Sequence, residues 1–150
     1  HQRDPAEAQA IGVGRGDAVG DGDCRLELAP RGLEIVLGER GRVTDVLPEL
    51  MSRVDAAVVY ACGPMPMLAA VAEIATEHRA YSQCAVGEAM ACGIGVCMTC
   101  VLPVVGEDGI TRMLRSCTEG PVFRGDRVRW SEVGAIPPDT VGAPVEAVQS

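Results

Sequence analysis

The sequence predicts an α/β fold in two parts. A partial parallel sheet with helices comes first, and a small β-rich module built round a cysteine loop follows. Three observations predict this. The apolar stretch Ala56-Ala57-Val58-Val59-Tyr60-Ala61 runs straight into a helical pattern, and alternating strand and helix imply parallel pairing with right-handed crossovers. Cys92, Cys97 and Cys100 then stand at C-x4-C-x2-C, with Cys117 after a gap. Last, two short apolar stretches flank Gly106-Glu107-Asp108-Gly109, a hairpin signal with a four-residue loop.

The elements follow in order. Residues 1–32 are rich in Gly, Asp and Ala, and from His1 to Asp23 no apolar period appears. Within them Gly12-Val13-Gly14-Arg15-Gly16 invites a phosphate-loop reading, but position 17 is Asp and no strand signal precedes it. This part is expected to be a flexible leader, or an incomplete segment. Leu33 to Gly38 reads as a short strand between glycines. Val43, Val46, Leu47, Leu50 and Met51 share one helical face. Thr44 is a candidate cap. Pro48 is tolerable only near a first turn, so the regular helix is expected to start near Leu47. The strand at 56–61 is apolar throughout, as a strand covered on both faces should be. A helix from about Pro64 to Arg79 follows, with Met67, Leu68, Val71, Ile74 and Ala75 as its stripe.

Residues 81–135 are expected to form the second module. Tyr81 to Met90 reads as a link to the cysteine loop. Arg79-Ala80-Tyr81-Ser82 mimics a flavin-binding R-x-Y-S signature, but its place after a helix makes that coincidence. Val101 to Val105 and Ile110 to Leu114 read as the hairpin, with Pro103 limiting the first strand to an edge. The turn Glu119-Gly120-Pro121 and a last strand, Val128-Arg129-Trp130, complete the module. Residues 136–150, with three prolines, read as an extended tail.

The cysteine spacing is that of plant-type [2Fe-2S] proteins, which hold two irons with four thiolates. Gly93 and Gly95 let the backbone turn tightly and bring N–H groups close to the sulfurs. The alternatives are a zinc knuckle or a redox dithiol, since Cys97-Met98-Thr99-Cys100 is by itself a C-x2-C. A zinc site commonly pairs two such short spacings, and Cys92 and Cys117 have none of their own. Seven cysteines, an odd count, argue against a disulfide framework. Cys24, Cys62 and Cys84 stand outside the motif as candidate small buried hydrophobes. Arg112, Arg115, Arg124, Arg127 and Arg129 crowd the cysteine segment, either to offset its negative charge or as a solvated face.

Composition narrows the function classes. Net charge −8 argues against nucleic acid and anionic membrane surfaces as partners. Aromatics at 3% offer no stacking platform for bases. No apolar run approaches the roughly 20 residues of a membrane span. The expectation is a cytoplasmic, reducing compartment. Cys62-Gly63-Pro64 sits where a parallel strand gives way to a helix, the place where such sheets bind ligands. It reads equally as a nicotinamide contact or as a plain turn.

From about Gly41 to Trp130 the chain resembles the electron-transfer subunit of class 1B dihydroorotate dehydrogenase, in the ferredoxin-reductase group. The carrying stretches are Gly41-Arg42-Val43-Thr44-Asp45, Tyr60-Ala61-Cys62-Gly63-Pro64 with Met67-Leu68, Met90 to Cys100, and Cys117 with Glu119-Gly120-Pro121-Val122-Phe123. The resemblance is to the C-terminal portion of that family. It implies that 33–80 is the C-terminal half of a nicotinamide domain and 81–135 a [2Fe-2S] module. Cys92, Cys97, Cys100 and Cys117 would be the cluster ligands, and Cys62, Gly63 and Pro64 would lie near the nicotinamide–flavin contact. It also implies an FMN-containing catalytic partner subunit in a hetero-oligomer, with electrons passing through the cluster toward FAD and NAD. The chain would then be the electron-transfer component of an oxidoreductase rather than a catalyst alone. Gly87 stands where the family's pattern usually has Glu, and the flavin barrel has no counterpart in these residues. Two other functions compete: a reductase component for an oxygenase or hydrogenase, and a zinc-stabilised interaction module.

Overall fold

The computed structural model of the chain describes residues 9–15, 24–29 and 42–144. Among them run β1 (Gln9–Arg15), β2 (Cys24–Ala29), α1 (Val43–Val54), β3 (Ala56–Gly63), α2 (Met65–Glu77), β4 (Tyr81–Val86), β5 (Val101–Val105), β6 (Thr111–Arg115) and β7 (Val122–Arg124). Two short 3-10 turns, Gly125–Arg127 and Trp130–Glu132, follow β7. The larger sheet has the order β2-β1-β3-β4-β7, and β5 and β6 form a separate two-stranded sheet. β3 lies between β1 and β4, parallel to both, while β2 and β7 close the edges antiparallel.

The expected flexible leader is corrected here. Residues 9–15 and 24–29 are paired strands, and the glycine run from Gly12 to Gly14 lies inside β1. Glycine weakens a strand and hides the alternation that marks one. Here β1 is paired on both sides, with Ile11 opposite both Leu28 and Val59, so context overrides local propensity. The strand read at Leu33 to Gly38 lies outside the described residues.

Helix α1 begins at Val43, a turn earlier than the proline implied. Arg42 is its N-cap residue, and the Asp45 carboxylate reaches back to accept the Arg42 N–H at 3.1 Å. That acid in the first turn also suits the helix dipole. Thr44 is therefore not the cap. Pro48 sits inside the helix and forfeits one backbone bond. Burial of Val43, Leu47, Leu50 and Met51 offsets it, at about 1.5–3 kcal/mol for each large side chain. The helix stops at Asp55, whose φ of 49° is left-handed and whose N–H returns to the Met51 carbonyl.

β3 is two residues longer than its apolar core and is not covered on both faces. Val59 and Ala61 are buried, but Tyr60 is 52% exposed. α2 follows Pro64 directly and buries Leu68, Val71, Ala72 and Ala75. Tyr81 to Val86 is a strand rather than a link. Its inward side chains are Ser82, Cys84 and Val86, two of them not obviously apolar, which concealed the period of two. The Cys84 Sγ lies 4.0 Å from the Leu68 carbonyl, directly under α2. Burial pushes that thiol's pKa up to about 11, so Cys84 is the inert small hydrophobe expected of it.

The second module is stitched to the first sheet. β4 (Tyr81–Val86) pairs with β3 on one side and β7 (Val122–Arg124) on the other, so a division at residue 80 runs between the sheet neighbours β3 and β4. Val128 makes one bridge to Val104, and Arg129 N–H donates to the Pro103 carbonyl at 3.0 Å. Trp130 begins a 3-10 turn, its indole N–H donating to the Gly125 carbonyl at 2.8 Å. The expected strand at 128–130 is thus replaced by an earlier one at 122–124. The tail is corrected as well over residues 136–144. Val141 N–H donates to the Thr111 carbonyl at 3.1 Å, and Asp139 accepts from Arg129 at 2.5 Å, tying the segment to the hairpin. No helix among the described residues is long and apolar enough to cross a membrane.

Candidate metal centre

The loop from Ala91 to Thr99 has no regular structure, and its course depends on left-handed backbone. Gly93 and Gly95 take φ of 68° and 79°, and Met98 takes 59° despite its side chain. At Met98 that costs about 1–2 kcal/mol. The fold of the loop turns N–H groups onto sulfur. Val96 and Cys97 each donate to the Cys92 Sγ at 3.4 Å. These donors, that of Cys97 foremost, lower the Cys92 pKa to about 6. Low thiol pKa is what a metal ligand needs, because the thiolate is the binding form. Cys97 lies within hydrogen-bond reach of Cys92. Its own sulfur is 3.0 Å from the Thr99 Oγ1.

Cys100 and Cys117 meet for a different reason. Cys100 directly precedes β5, and Cys117 follows β6 with Ser116 between. Antiparallel pairing of Val101 with Arg115 brings the two ends together. Ser116 N–H donates to the Cys100 carbonyl at 2.9 Å. The neighbourhood of Cys117, its backbone N–H first, lowers the pKa of Cys100, and Cys100 in turn raises that of Cys117. Cys100 is buried, whereas Cys97 is exposed.

The four sulfurs therefore stand as two pairs, Cys92 with Cys97 and Cys100 with Cys117. Among the described residues, no three His, Cys, Asp or Glu side chains gather round one point as ligands of a single ion. Two irons, each taking two protein thiolates, need two pairs. Two cysteine pairs are a donor set that a binuclear group could take.

Among the described residues, one arginine reaches the loop. Arg115 donates from Nη1 to the Gly95 carbonyl at 3.1 Å. Its remaining donors go to Glu119, through Nη2 at 2.8 Å and the backbone N–H at 2.6 Å. The Arg115 side chain foremost holds the Glu119 carboxyl down to about 2. The other candidates are engaged elsewhere: Arg112 with Asp108, Arg124 with Asp126, and Arg129 with Asp139 and Glu132. Arg127 donates to the Gly106 carbonyl at 2.7 Å. A basic field over the cysteines is thus reduced to Arg115. Sequence reasoning missed Glu119 and Thr99. The i, i+4 spacing of Arg115 and Glu119 and a hydroxyl between two motif cysteines were the available signals.

Gly95 is tightly enclosed. A Cβ there would lie 2.9 Å from the Thr118 Cγ2 and 3.4 Å from its Oγ1. Gly95→Ala is expected to cost about 1–2 kcal/mol in backbone strain alone. Iron retained after desalting should fall several-fold relative to the parent chain. Full retention would mean that the loop does not need this turn.

Cys62, Gly63 and Pro64 lie at the carboxyl end of β3 and the start of α2. Cys62 is exposed. A Cβ on Gly63 would meet the Met67 Cε at 2.5 Å, so the glycine permits close helix approach. His78 caps the end of α2, its Nδ1 2.9 Å from the Ile74 carbonyl.

Residues 84–129 match the family described as the iron-sulfur cluster binding domain of dihydroorotate dehydrogenase B. The electron transfer subunit of dihydroorotate dehydrogenase B (NAD(+)) from Caldanaerobacter subterraneus is 42% identical over 91 residues, covering 61% of this chain and 36% of the relative. A probable subunit of the same description from Methanopyrus kandleri is 40% identical over 107 residues, covering 71% and 38%. The Geobacillus kaustophilus subunit is 43% identical over 91 residues, covering 61% and 33%. The chain spans about a third of the length of these curated relatives. Among solved structures, a chain of the NADH-dependent reduced ferredoxin-NADP oxidoreductase, described for flavin-based electron bifurcation, matches with TM-score 0.53 and 28% identity. That match covers 65% of this chain and 34% of the other. The protein is a mixed α/β chain with a ferredoxin-reductase-like neighbour, and it resembles part of the dihydroorotate dehydrogenase B electron transfer subunits.

Proposed function

We propose that this chain, related over most of its length to dihydroorotate dehydrogenase B electron transfer subunits, carries the electron-relay portion of such a subunit. Cys92 and Cys97 would hold one iron of a [2Fe-2S] cluster, and Cys100 and Cys117 the other. The observation that carries the reading is the pairing of the four sulfurs, two by loop geometry and two by the β5–β6 hairpin. When bound, such a cluster takes up and releases one electron at a time with little rearrangement.

The residues of this chain prepare the site. N–H groups of Val96 and Cys97 face the Cys92 sulfur and favour its charged form. Arg115 ties the loop to the end of β6 through the Gly95 carbonyl. The loop and the residue before it present exposed apolar side chains: Ile94 is 73% and Val96 74% exposed, with Met90 and Met98 about half exposed. Exposed apolar side chains of this kind suit docking against another protein. The partner is an FMN-containing dihydroorotate dehydrogenase catalytic subunit, and the complex works in the cytoplasm. Electrons from dihydroorotate oxidation pass through this chain toward FAD and NAD. Cys62, Gly63 and Pro64, at the carboxyl end of a parallel strand, are the candidate contact for the nicotinamide. FAD is a family expectation, and no residue of this chain is assigned to it.

The test is anaerobic mixing of the iron-loaded protein with an FMN-containing dihydroorotate dehydrogenase subunit and dihydroorotate. Bleaching of the chain's visible absorbance within seconds supports the reading. Persistent colour, with the catalytic subunit active toward an artificial acceptor, contradicts it.

A further inference from the structure

The hydroxyl of Thr99 is placed between a backbone donor and a sulfur. Ala91 N–H donates to the Thr99 Oγ1 at 3.3 Å. The same oxygen lies 3.0 Å from the Cys97 Sγ. The hydroxyl has one proton to give. With an N–H already donated to its oxygen, that proton is free to point at sulfur. A metal-bound thiolate can only accept, so the direction of the bond is fixed once Cys97 is a ligand.

We propose that Thr99 is a positioning residue: it donates a hydrogen bond to the Cys97 sulfur and so raises the reduction potential of the group held there. The inference rests on the cluster reading above. Reduction adds negative charge to the sulfurs, and a donor aimed at one of them stabilises the reduced form more than the oxidised form. Cys97 needs such a donor. Cys92 receives two N–H groups from the loop. Among the described residues, the one hydrogen-bond contact to the Cys97 sulfur from outside the motif cysteines is that of Thr99. The second bond of the hydroxyl fixes Ala91, the residue before Cys92, so one side chain registers both ends of the loop.

The experiment compares the iron-loaded parent with Thr99→Val, Thr99→Ala and Thr99→Ser by potentiometric titration, following the visible and paramagnetic signals. The parent is tested first; if it binds no iron and sulfide, the cluster reading itself has failed. With the parent loaded, Thr99→Val and Thr99→Ala are expected to shift the reduced-to-oxidised ratio at a fixed potential about tenfold toward oxidised. That is a fall of about 59 mV for a one-electron couple. Thr99→Ser, which keeps the hydroxyl, is expected to stay near the parent. Unchanged potentials in the Val and Ala variants would overturn the proposal, as would a Ser variant shifted as far as they are. If both deletions lose the cluster while the Ser variant loads fully, the hydroxyl is a structural anchor and the proposal is also overturned.

Discussion

Replacing Cys100 by serine is expected to strip the chain of its iron and its visible colour. Cys100 is the one buried sulfur of the four, and it stands beside Cys117 because β5 and β6 pair there. Serine is nearly the same size, so the hairpin should survive. Its hydroxyl is a far poorer ligand for iron than thiolate, because it stays protonated near neutral pH. Even outer partners of a metal ligand cost roughly 10–100-fold in affinity when removed, so loss of a ligand should cost at least that much. The measurement is iron and acid-labile sulfide per chain after anaerobic reconstitution and desalting. Circular dichroism checks that the fold persists. Unaltered iron content in Cys100→Ser would show that the Cys100–Cys117 pair is not a ligand pair.

Gly125→Ala is expected to produce the largest loss of stability from a single added methyl group. Gly125 opens the turn after β7 and is buried beneath α2. A Cβ there would fall 2.3 Å from the Ser82 Oγ, 2.7 Å from the Ala72 Cβ and 2.9 Å from the Cys84 Sγ. All three neighbours are buried, and two belong to the strand that β7 flanks. None is the far end of a long flexible side chain, so the backbone itself must shift. Overpacking of this kind costs about 1–3 kcal/mol, which lowers Tm by roughly 5–10 °C in a chain of this size. The paired control is Gly87→Ala, where a Cβ meets nothing within 4 Å. It should melt within about 0.5 kcal/mol of the parent. Equal melting of both variants would mean that the segment after β7 does not pack under α2.

The residues that declared themselves in the sequence were those whose chemistry has few alternatives. Four cysteines at a plant-type spacing, two glycines between them, and an apolar strand running into a helix were all legible. What was not legible depended on partners far along the chain. β1 carries glycines at alternate positions and is held by strands on both sides, so its own sequence says little. β4 turns Ser82 and Cys84 inward, and no hydrophobic pattern reports that. The meeting of Cys100 with Cys117 follows from the β5–β6 register rather than from spacing. The arginine cluster misled for a related reason. Each side chain looked available to the cysteines, yet carboxylates close in sequence or across the turn had claimed most of them. Asp45, the third residue of the helix, outranked Thr44 because a carboxylate there can reach back to the Arg42 N–H.

The most direct test of the central claim is the metal content of the anaerobically reconstituted parent chain. The account predicts about two irons and two sulfides per chain, with a reddish colour that bleaches on one-electron reduction. A colourless protein binding a single zinc, or iron without sulfide, would contradict it.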